Sequence, residues 1–207
     1  MKKANRIFYQ TIFLIFFLFS SQVESKILSI GSSDAKVSVK VFSSLTCPHC
    51  ANFHSEIFNN LKRDFIDKDL VKFEHYAFPL DLAALNAEII VRCHVDKDKK
   101  FELLEKIYEK QKVWAVGSDI NKINESIKKI GAESNLPNEK MEKCLNNENA
   151  QDDILNERIE AQKKYKIEST PTVFINNKKY SGKIDYKQFK KDGSDTTVYR
   201  VKPDNWT

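Results

Sequence analysis

Cys47 and Cys50, separated by a Pro-His pair, are the residues of this chain best suited to chemistry. Two thiols at this spacing can close a disulfide across one helical turn, so the pair can alternate between dithiol and disulfide. The thiolate is the reactive form, and the pKa of a cysteine falls well below its free value of about 8.5 at a helix N-terminus or beside a histidine. We therefore predict a redox-active pair with Cys47 as nucleophile and with Pro48 and His49 in the same catalytic motif.

The elements on either side of the pair support this prediction. An apolar, strand-like run over residues 37–42 precedes the pair, and a helical pattern over residues 51–65 follows it. This order places Cys47 at the N-terminus of a helix, where the helix dipole favours negative charge. Cys50 would lie one turn further along the helix, so we expect Cys47 to be exposed and Cys50 to be buried.

Two other functions would use the same residues. An inert structural bridge would add little stability, because so small a loop removes little entropy from the unfolded chain. A zinc site would draw on Cys47, His49, Cys50 and His54, but no second CxxC and no HxxxH motif completes four ligands. We predict no metal and no cofactor, and we place His54 on the helix surface or partly buried near the site.

The first residues have the pattern of a secretory signal. A basic start with Lys2 and Lys3 leads into a short apolar run over residues 12–19, and small residues follow. The apolar run is shorter than the ~20 residues that span a bilayer. We predict a removed signal over residues 1–25 and a single domain over residues 26–207.

The charge distribution of the chain bears on whether it binds nucleic acid. The chain of 207 residues carries a net charge of +5, with lysines that alternate with acidic residues, as on solvated helix faces. This pattern gives no support to nucleic-acid binding.

All four cysteines follow the predicted signal, and an oxidising compartment would pair them. Cys93 and Cys144 lie on apolar helical faces, so we predict a structural disulfide between them. The alternative is two buried free thiols that pack as small hydrophobes.

Periodicity predicts the order of the elements. Strand, helix and strand come first, a long helical block follows, and a hairpin and a helix end the domain. The predicted strands cover 27–30, 37–42, 71–76, 172–175 and 178–181, and helices cover 51–65 and 186–190, with the helical block over about 81–165. In this block Ser118 caps one helix, Gly131 ends it, and the last helix covers 154–165. The result is one α/β domain that a helical segment interrupts.

Together these features resemble the thioredoxin superfamily, and within it the DsbA-type thiol:disulfide oxidoreductases of bacterial periplasms. The resemblance is carried by Cys47-Pro48-His49-Cys50 after a strand and by Ser169-Thr170-Pro171-Thr172 before the penultimate strand. The helical block between them corresponds to the insertion that distinguishes DsbA-like proteins from plain thioredoxin. The match covers residues 35–189, and it implies an α/β thioredoxin fold with a helical insertion between the central strands.

The resemblance also implies roles and partners. Pro171 would follow a cis peptide bond and face the disulfide, and the backbone of Thr170 would bind an extended substrate. The substrates would be reduced exported proteins, and a DsbB-type quinone-linked membrane oxidoreductase would reoxidise the dithiol. We expect a monomeric oxidase in the periplasm. The alternatives are a disulfide isomerase or reductase on the same fold, or a membrane-tethered binding protein with a redox-inactive scaffold.

Two positions depart from the family pattern. Val41 occupies the position at which well-known DsbA proteins bury an acidic residue, so proton transfer must use water or another group, with Glu74 and His75 as candidates. Thr170 stands where the best-known oxidases have valine, and threonine is also found in isomerase and reductase branches. The balance between oxidase and isomerase activity therefore cannot be transferred from the family.

Overall fold

The computed structural model describes residues 27–183 and 185–195. The predicted signal over residues 1–25 and the tail beyond residue 195 lie outside the described residues. Five strands form a mixed sheet with the order β1-β3-β2-β4-β5. Their bounds are Leu28–Ile30 (β1), Val37–Ser43 (β2), Val71–Ala77 (β3), Thr172–Ile175 (β4) and Lys178–Lys179 (β5). β2 is central, parallel to β3 and antiparallel to β4.

The helices begin directly after β2. Helix α1 is continuous and consists of an α-helical segment, a π-helical turn and a second α-helical segment, namely Pro48–Phe53, His54–Phe58 and Asn59–Asp64. A 3₁₀ turn, Ile66–Lys68, precedes β3. The other helices are Leu82–Arg92 (α2), Lys97–Glu109 (α3), Gln111–Trp114 (α4), Ile120–Glu133 (α5), Asn138–Leu145 (α6), Glu148–Tyr165 (α7) and Tyr186–Asp195 (α8).

This arrangement confirms the predicted fold class. Helices α2 to α7 all lie between β3 and β4, so the insertion separates the two halves of the sheet in sequence while β2 joins them in space. In the part of the chain that the structure describes, no helix combines the length and apolarity needed to cross a membrane.

The two faces of β2 pack against different cores. Val37, Val39 and Val41 belong to the main core, which also contains Cys47, Cys50 and much of the insertion. Phe42 points to the opposite face and packs in a smaller aromatic cluster. Successive side chains of a strand alternate between faces, and both faces are covered here, so five of the seven β2 residues are buried and the other two are half-buried.

Side-chain caps fix where several insertion helices begin. Asp81 caps α2 by accepting a hydrogen bond from the Ala84 amide, and Asp119 caps α5. The prediction of Ser118 as the cap of α5 was therefore wrong by one residue, because both residue types favour this position. Helix α7 begins at Glu148, earlier than predicted, because Asn147 caps it.

Gly131 does not end α5, contrary to the prediction. It lies inside the helix, which continues to Glu133. A Cβ atom at Gly131 would collide with Sδ of Met141 on α6. The glycine therefore permits α5 and α6 to pack closely, and a buried Met141 occupies the space.

Several other element ends differ from the predicted ones, including that of α1, which begins at Pro48 rather than at residue 51. β5 covers only Lys178–Lys179, and α8 continues to Asp195 rather than ending at Lys190. The earlier start of α1 places Pro48, His49 and Cys50 inside its first turn.

The second cysteine pair links two helices of the insertion. Cys93 at the C-terminal end of α2 is bonded to Cys144 in α6, with 6.0 Å between the Cα atoms and 51 positions between the residues. Cys93 is buried, and Cys144 packs near Leu85, Ile89 and Ile154. This bridge lies in the insertion, outside the segment that carries Cys47 and Cys50.

Candidate active site

Cys47 occupies the junction between β2 and α1. It is the N-cap of α1, and Pro48 takes the first helical position, where its fixed φ suits the helix and its missing N–H leaves nothing unpaired. The chain turns into the helix through a hydrogen bond from the Cys47 amide to the carbonyl of Ser44, 3.1 Å long. The sequence therefore correctly placed the motif at a helix N-terminus.

The two sulfurs differ in exposure less than predicted. Cys50 is fully buried, but Cys47 is also mostly buried, with 7% of its surface exposed. The expectation of an exposed Cys47 was wrong in degree, because the loop before Pro171 covers it. Cys47 remains the more accessible of the two thiols, and Pro48 and His49 beside it are exposed.

The loop that covers Cys47 contains a cis peptide bond between Thr170 and Pro171. The Cys47 thiol donates a hydrogen bond to the carbonyl of Thr170 at 3.4 Å. The Thr170 hydroxyl is buried close to both sulfurs of the motif, although it completes no hydrogen bond of ordinary geometry within the described residues. The structure thus brings the Thr170-Pro171 segment against the cysteine motif, although 123 positions separate Thr170 from Cys47.

Gln111, which no sequence pattern identified as a site residue, holds the segment that leads into the motif. Its buried amide nitrogen donates to the carbonyls of Leu45 and Cys47, at 2.8 and 3.0 Å. Thr46 is fixed from the other side by a 2.8 Å hydrogen bond to the Asp81 carboxylate. Both contacts join the helical insertion to the segment that carries the cysteine motif. Helical periodicity identifies Gln111 only as a polar residue and gives no sign of these contacts.

The surroundings of the two sulfurs drive their pKa values apart. The hydrogen bond from the Cys50 thiol has the largest effect on Cys47. With the Thr170 side chain and the amides of Cys50 and His49 it lowers the pKa of Cys47 to about 5, although burial opposes the shift. Burial, reinforced by Cys47, raises the pKa of Cys50 far above its ordinary value. At neutral pH the pair therefore consists of a Cys47 thiolate and a Cys50 thiol.

His49 acts on Cys47 through its backbone amide. Its imidazole is exposed at the start of α1. The sequence predicts that His49 helps to lower the pKa of Cys47, whereas in the structure the largest effect on this pKa comes from Cys50. The two causes differ in generality, because any second thiol held in the position of Cys50 would lower the pKa of Cys47 in this way, whatever residues lie between the two cysteines.

Both residues suggested for proton transfer already contact a charged side chain. Val41 is fully buried beneath the site. Glu74 is bound by Lys72 at 2.9 Å. His75 is buried, but its Nε2 contacts the Glu88 carboxylate at 3.1 Å.

Glu88 belongs to a buried charged network that the sequence did not reveal. Arg92 contacts Glu88 at 2.8 Å and Glu157 at 2.9 Å, and the Ala77 amide donates to Glu157. The network joins α2 and α7 to the end of β3. Its partners lie far apart in sequence, so no local motif could have identified it.

His54 is buried, contrary to the prediction of a surface or partly buried position. Its ring stacks on Tyr108 of α3, with 4.1 Å between the ring centroids. A signal for burial was present, since His54 follows Cys50 by four residues and lies on the face that Ile57 and Phe58 continue. Among the described residues no group of three or more histidine, cysteine or acidic side chains could hold a metal ion.

The sheet order, the helical insertion and the cysteine motif at the start of α1 together define a DsbA-like thioredoxin fold. A family model described as Thioredoxin matches residues 23–192. The chain belongs to the thioredoxin family.

Comparisons with individual proteins agree with this assignment. The chain is 30% identical over 170 residues to Disulfide bond formation protein D of Bacillus subtilis, which covers 78% of this chain and 72% of that protein. Among solved structures, alpha-DsbA1 of Wolbachia pipientis superposes with a TM-score of 0.75 at 25% identity, covering 83% of this chain and 90% of that one. These relatives are thiol:disulfide exchange proteins of the DsbA type.

The Rickettsia relatives are longer. A provisionally named protein-disulfide oxidoreductase of Rickettsia bellii is 29% identical over 155 residues. The match covers 75% of this chain but only 59% of that protein.

Proposed function

We propose that this protein is a thiol:disulfide oxidoreductase that introduces disulfide bonds into exported proteins. The observation that carries the proposal is the contrast between the two sulfurs of the motif. Cys47 has a pKa of about 5 and limited access to solvent, while Cys50 is fully buried with a raised pKa. Such a pair releases Cys47 readily as a leaving group and stabilises the dithiol form, which makes the disulfide an oxidant.

The reaction begins with the Cys47–Cys50 disulfide. A substrate thiolate attacks Sγ of Cys47, the bond to Cys50 breaks, and Cys50 leaves with the electron pair and takes up a proton. A second substrate thiolate then attacks the substrate sulfur of the mixed disulfide, and Cys47 leaves as a thiolate. The substrate loses two electrons and gains a disulfide, and the enzyme becomes a dithiol.

The segment around the cis peptide bond provides the site for the substrate. The Thr170 carbonyl lies 3.4 Å from the Cys47 sulfur, so it is next to the substrate backbone once Cys47 is bonded to a substrate sulfur. Backbone pairing of this kind recognises an extended segment without requiring a particular sequence. Thr170 and Pro171 are therefore proposed as substrate-binding residues.

The cellular setting is part of the same proposal. The basic, apolar and small residues of positions 1–25 support export to the periplasm, where disulfides persist. A DsbB-type quinone-linked membrane oxidoreductase would accept the two electrons from the dithiol. We expect the protein to act as a monomer on reduced exported proteins.

The test uses the oxidised protein and a reduced peptide with two cysteines. We expect stoichiometric formation of the peptide disulfide together with the dithiol form of the protein, both followed by mass spectrometry. Cys47→Ser is the control that must abolish the reaction. Failure of the oxidised wild-type protein to oxidise the peptide would reject the proposal. Refolding of a scrambled multi-disulfide protein, run in parallel, separates oxidase from isomerase, and we expect slow unscrambling.

A further inference from the structure

A single side chain of the helical insertion, that of Gln111, holds the backbone around the nucleophile. Gln111 is the first residue of α4 and is buried. Its amide nitrogen donates to the carbonyls of Leu45 and Cys47, at 2.8 and 3.0 Å, and an amide group has the two hydrogens that these bonds need. The peptide groups before Thr46 and after Cys47 are therefore both fixed from one point.

Gln111 is itself held in place by the core. Trp114, three residues further along α4, is 1% exposed, and its Nε1 donates to the carbonyl of Ile107 at 2.8 Å. The Ala115 amide donates to the carbonyl of Gln111 at 2.9 Å. Both Trp114 and Ile107 belong to the main core. The amide of Gln111 therefore binds the motif segment from a fixed support.

The orientation of the Cys47 peptide depends on the hydrogen bonds to its carbonyl. Cys47 is the N-cap of α1 but forms no side-chain cap hydrogen bond. Its carbonyl accepts from the amides of Cys50 and Ala51, at 3.0 and 3.2 Å, and from Gln111. Two of these donors belong to α1, and the third comes from the insertion. Gln111 therefore couples the position of the nucleophile to the insertion.

The position of Cys47 matters because the start of α1 stabilises its thiolate. The Cys50 thiol lowers the pKa of Cys47 most, and the backbone amides of Cys50 and His49 lower it further. Hydrogen bonds weaken steeply when their distance or angle departs from the ideal. A small shift of Cys47 relative to α1 would therefore weaken all of these interactions.

Loss of the Gln111 amide would release the segment before α1. Leu45 is 2% exposed, and a buried carbonyl without a donor costs free energy comparable to a lost hydrogen bond. The segment would then turn this carbonyl toward water and move Cys47 with it. The other contact from the insertion joins Asp81 to the Thr46 hydroxyl, so it holds a side chain and leaves the two carbonyls to Gln111.

We propose that Gln111 is a positioning residue for the reaction of Cys47, because its two hydrogen bonds hold the N-cap in the conformation in which the first turn of α1 stabilises the thiolate. The inference rests on the proposed function and deepens it, since a better stabilised thiolate leaves the mixed disulfide more readily. Gln111 itself exchanges no proton and no electron. The helical insertion thereby contributes to the oxidising strength of the motif.

Gln111→Met tests this proposal without changing a charge. Methionine has a similar length and volume but no donor for the two carbonyls. The titratable groups around the motif all stay in the variant, namely His49 and Cys50 on α1, Asp81 before α2, Tyr108 and Glu109 on α3 and Lys112 on α4. A shift in the pKa of Cys47 would therefore report the position of Cys47 and not a new charge.

Two measurements follow the effect, absorbance titration of the Cys47 thiolate and equilibration of the motif with glutathione. We expect Gln111→Met to raise the pKa of Cys47 by about one unit, which is a tenfold loss of thiolate stabilisation. Because the dithiol form is then less stable at pH 7, the equilibrium with glutathione should move about tenfold toward the Cys47–Cys50 disulfide.

Trp114→Phe is the matched control, because it removes a buried hydrogen bond of the same helix without removing a donor to the motif. It should lower the free energy of unfolding in urea at least as much as Gln111→Met does, yet leave the pKa of Cys47 and the glutathione equilibrium unchanged. Equal shifts in the two variants would overturn the proposal, because the effect would then belong to the stability of the insertion.

Gln111→Asn provides a second variant, and it carries the test if Gln111→Met does not fold. It keeps the amide but is one methylene too short to reach both carbonyls, so it should also raise the pKa of Cys47. A folded Gln111→Asn protein with the wild-type pKa would overturn the proposal. Neither measurement uses a peptide, so both remain possible if wild-type protein fails to oxidise a peptide, a result that would reject only the proposed function.

Discussion

The two cysteine pairs of this molecule differ in their spacing along the chain, in the elements that carry them and in the groups around their sulfurs. Cys47 and Cys50 lie three positions apart at a helix N-terminus and have sharply different pKa values. Cys93 and Cys144 lie 51 positions apart and are closed into a bridge between two helices. The first pair closes a loop too small to stabilise the fold, whereas the second removes substantial entropy from the unfolded chain.

The surroundings of each pair explain the difference. Cys47 has amides, a thiol and a threonine side chain that stabilise negative charge. The sulfur of Cys93 has the carbonyl of Lys140 nearby at 3.5 Å, and Cys144 packs against apolar residues. A carbonyl and apolar side chains do not stabilise a thiolate. Donors aimed at one sulfur therefore distinguish the reactive pair from the structural one.

The largest expected effect concerns the nucleophile. Cys47→Ser should lower the rate of peptide oxidation at least about a thousandfold, because the remaining thiol, Cys50, is buried and does not form the mixed disulfide with substrate. Cys50→Ser should instead accumulate the mixed disulfide at Cys47. Mass spectrometry of the trapped species checks both. A mixed disulfide found at Cys50 in Cys47→Ser would contradict the assigned order of attack.

The second expected effect concerns stability. Replacing Cys93 and Cys144 together by alanine should lower the free energy of unfolding by about 4 kcal/mol, the chain-entropy value for a loop of this length. Urea unfolding measures the loss, and the rate of peptide oxidation should stay within about twofold because the bridge lies outside the site. Alkylation of Cys93 and Cys144 in unfolded, unreduced wild-type protein would show that the bridge does not form.

The sequence predicted the parts of the site that are local. The strand, the cysteine motif and the following helix are contiguous, so periodicity and spacing were sufficient to place Cys47 at a helix N-terminus. The contact between Cys47 and Thr170 depended on the family resemblance, because residue spacing alone does not bring positions so far apart together. The fold class depended on the same resemblance.

Local sequence patterns could not predict the polar contacts between residues far apart in the chain. Gln111 binds two carbonyls of the motif segment across 64 and 66 positions. The burial of His54 was predictable from its spacing to Cys50. Its polar side chain, however, favoured the surface interpretation.

The third prediction uses pH to separate the two pairs. The folded pKa of Cys47, about 5, lies below that of a thiol in an unfolded chain, about 8.5. Between these pH values the unfolded dithiol protein binds more protons than the folded one. The free energy of unfolding of the dithiol form should therefore rise with pH from 5 to 8.5. The stabilisation that comes from the Cys47 thiolate should be lost as pH falls through 5.

Urea unfolding of the dithiol and disulfide forms at several pH values measures this contribution. The difference between the two forms isolates the first pair, because the Cys93–Cys144 bridge is present in both and does not titrate. Cys47→Ser, which has no disulfide form of this pair, is the control for the dithiol form, and its stability should lack the rise between pH 5 and 8.5. A difference that does not change between pH 5 and 8 would contradict a lowered pKa of Cys47.

The smallest expected effect comes from the side chain of Thr170, which lowers the pKa of both sulfurs of the motif. Thr170→Val keeps the shape and the branched Cβ but removes the hydroxyl. The pKa of Cys47 should rise by less than about one unit, and the disulfide should become a weaker oxidant by less than about tenfold. Absorbance titration of the thiolate and equilibration with glutathione measure the two quantities.

The matched control is Thr172→Val, two positions along the same segment, where the hydroxyl donates to the Ser169 carbonyl at 2.7 Å. This variant tests whether any loosening of the loop is enough to shift the pKa of Cys47. If both variants shift it equally, the effect belongs to the loop conformation. If only Thr170→Val does so, the threonine hydroxyl contributes to the asymmetry that makes this pair reactive and leaves the Cys93–Cys144 bridge inert.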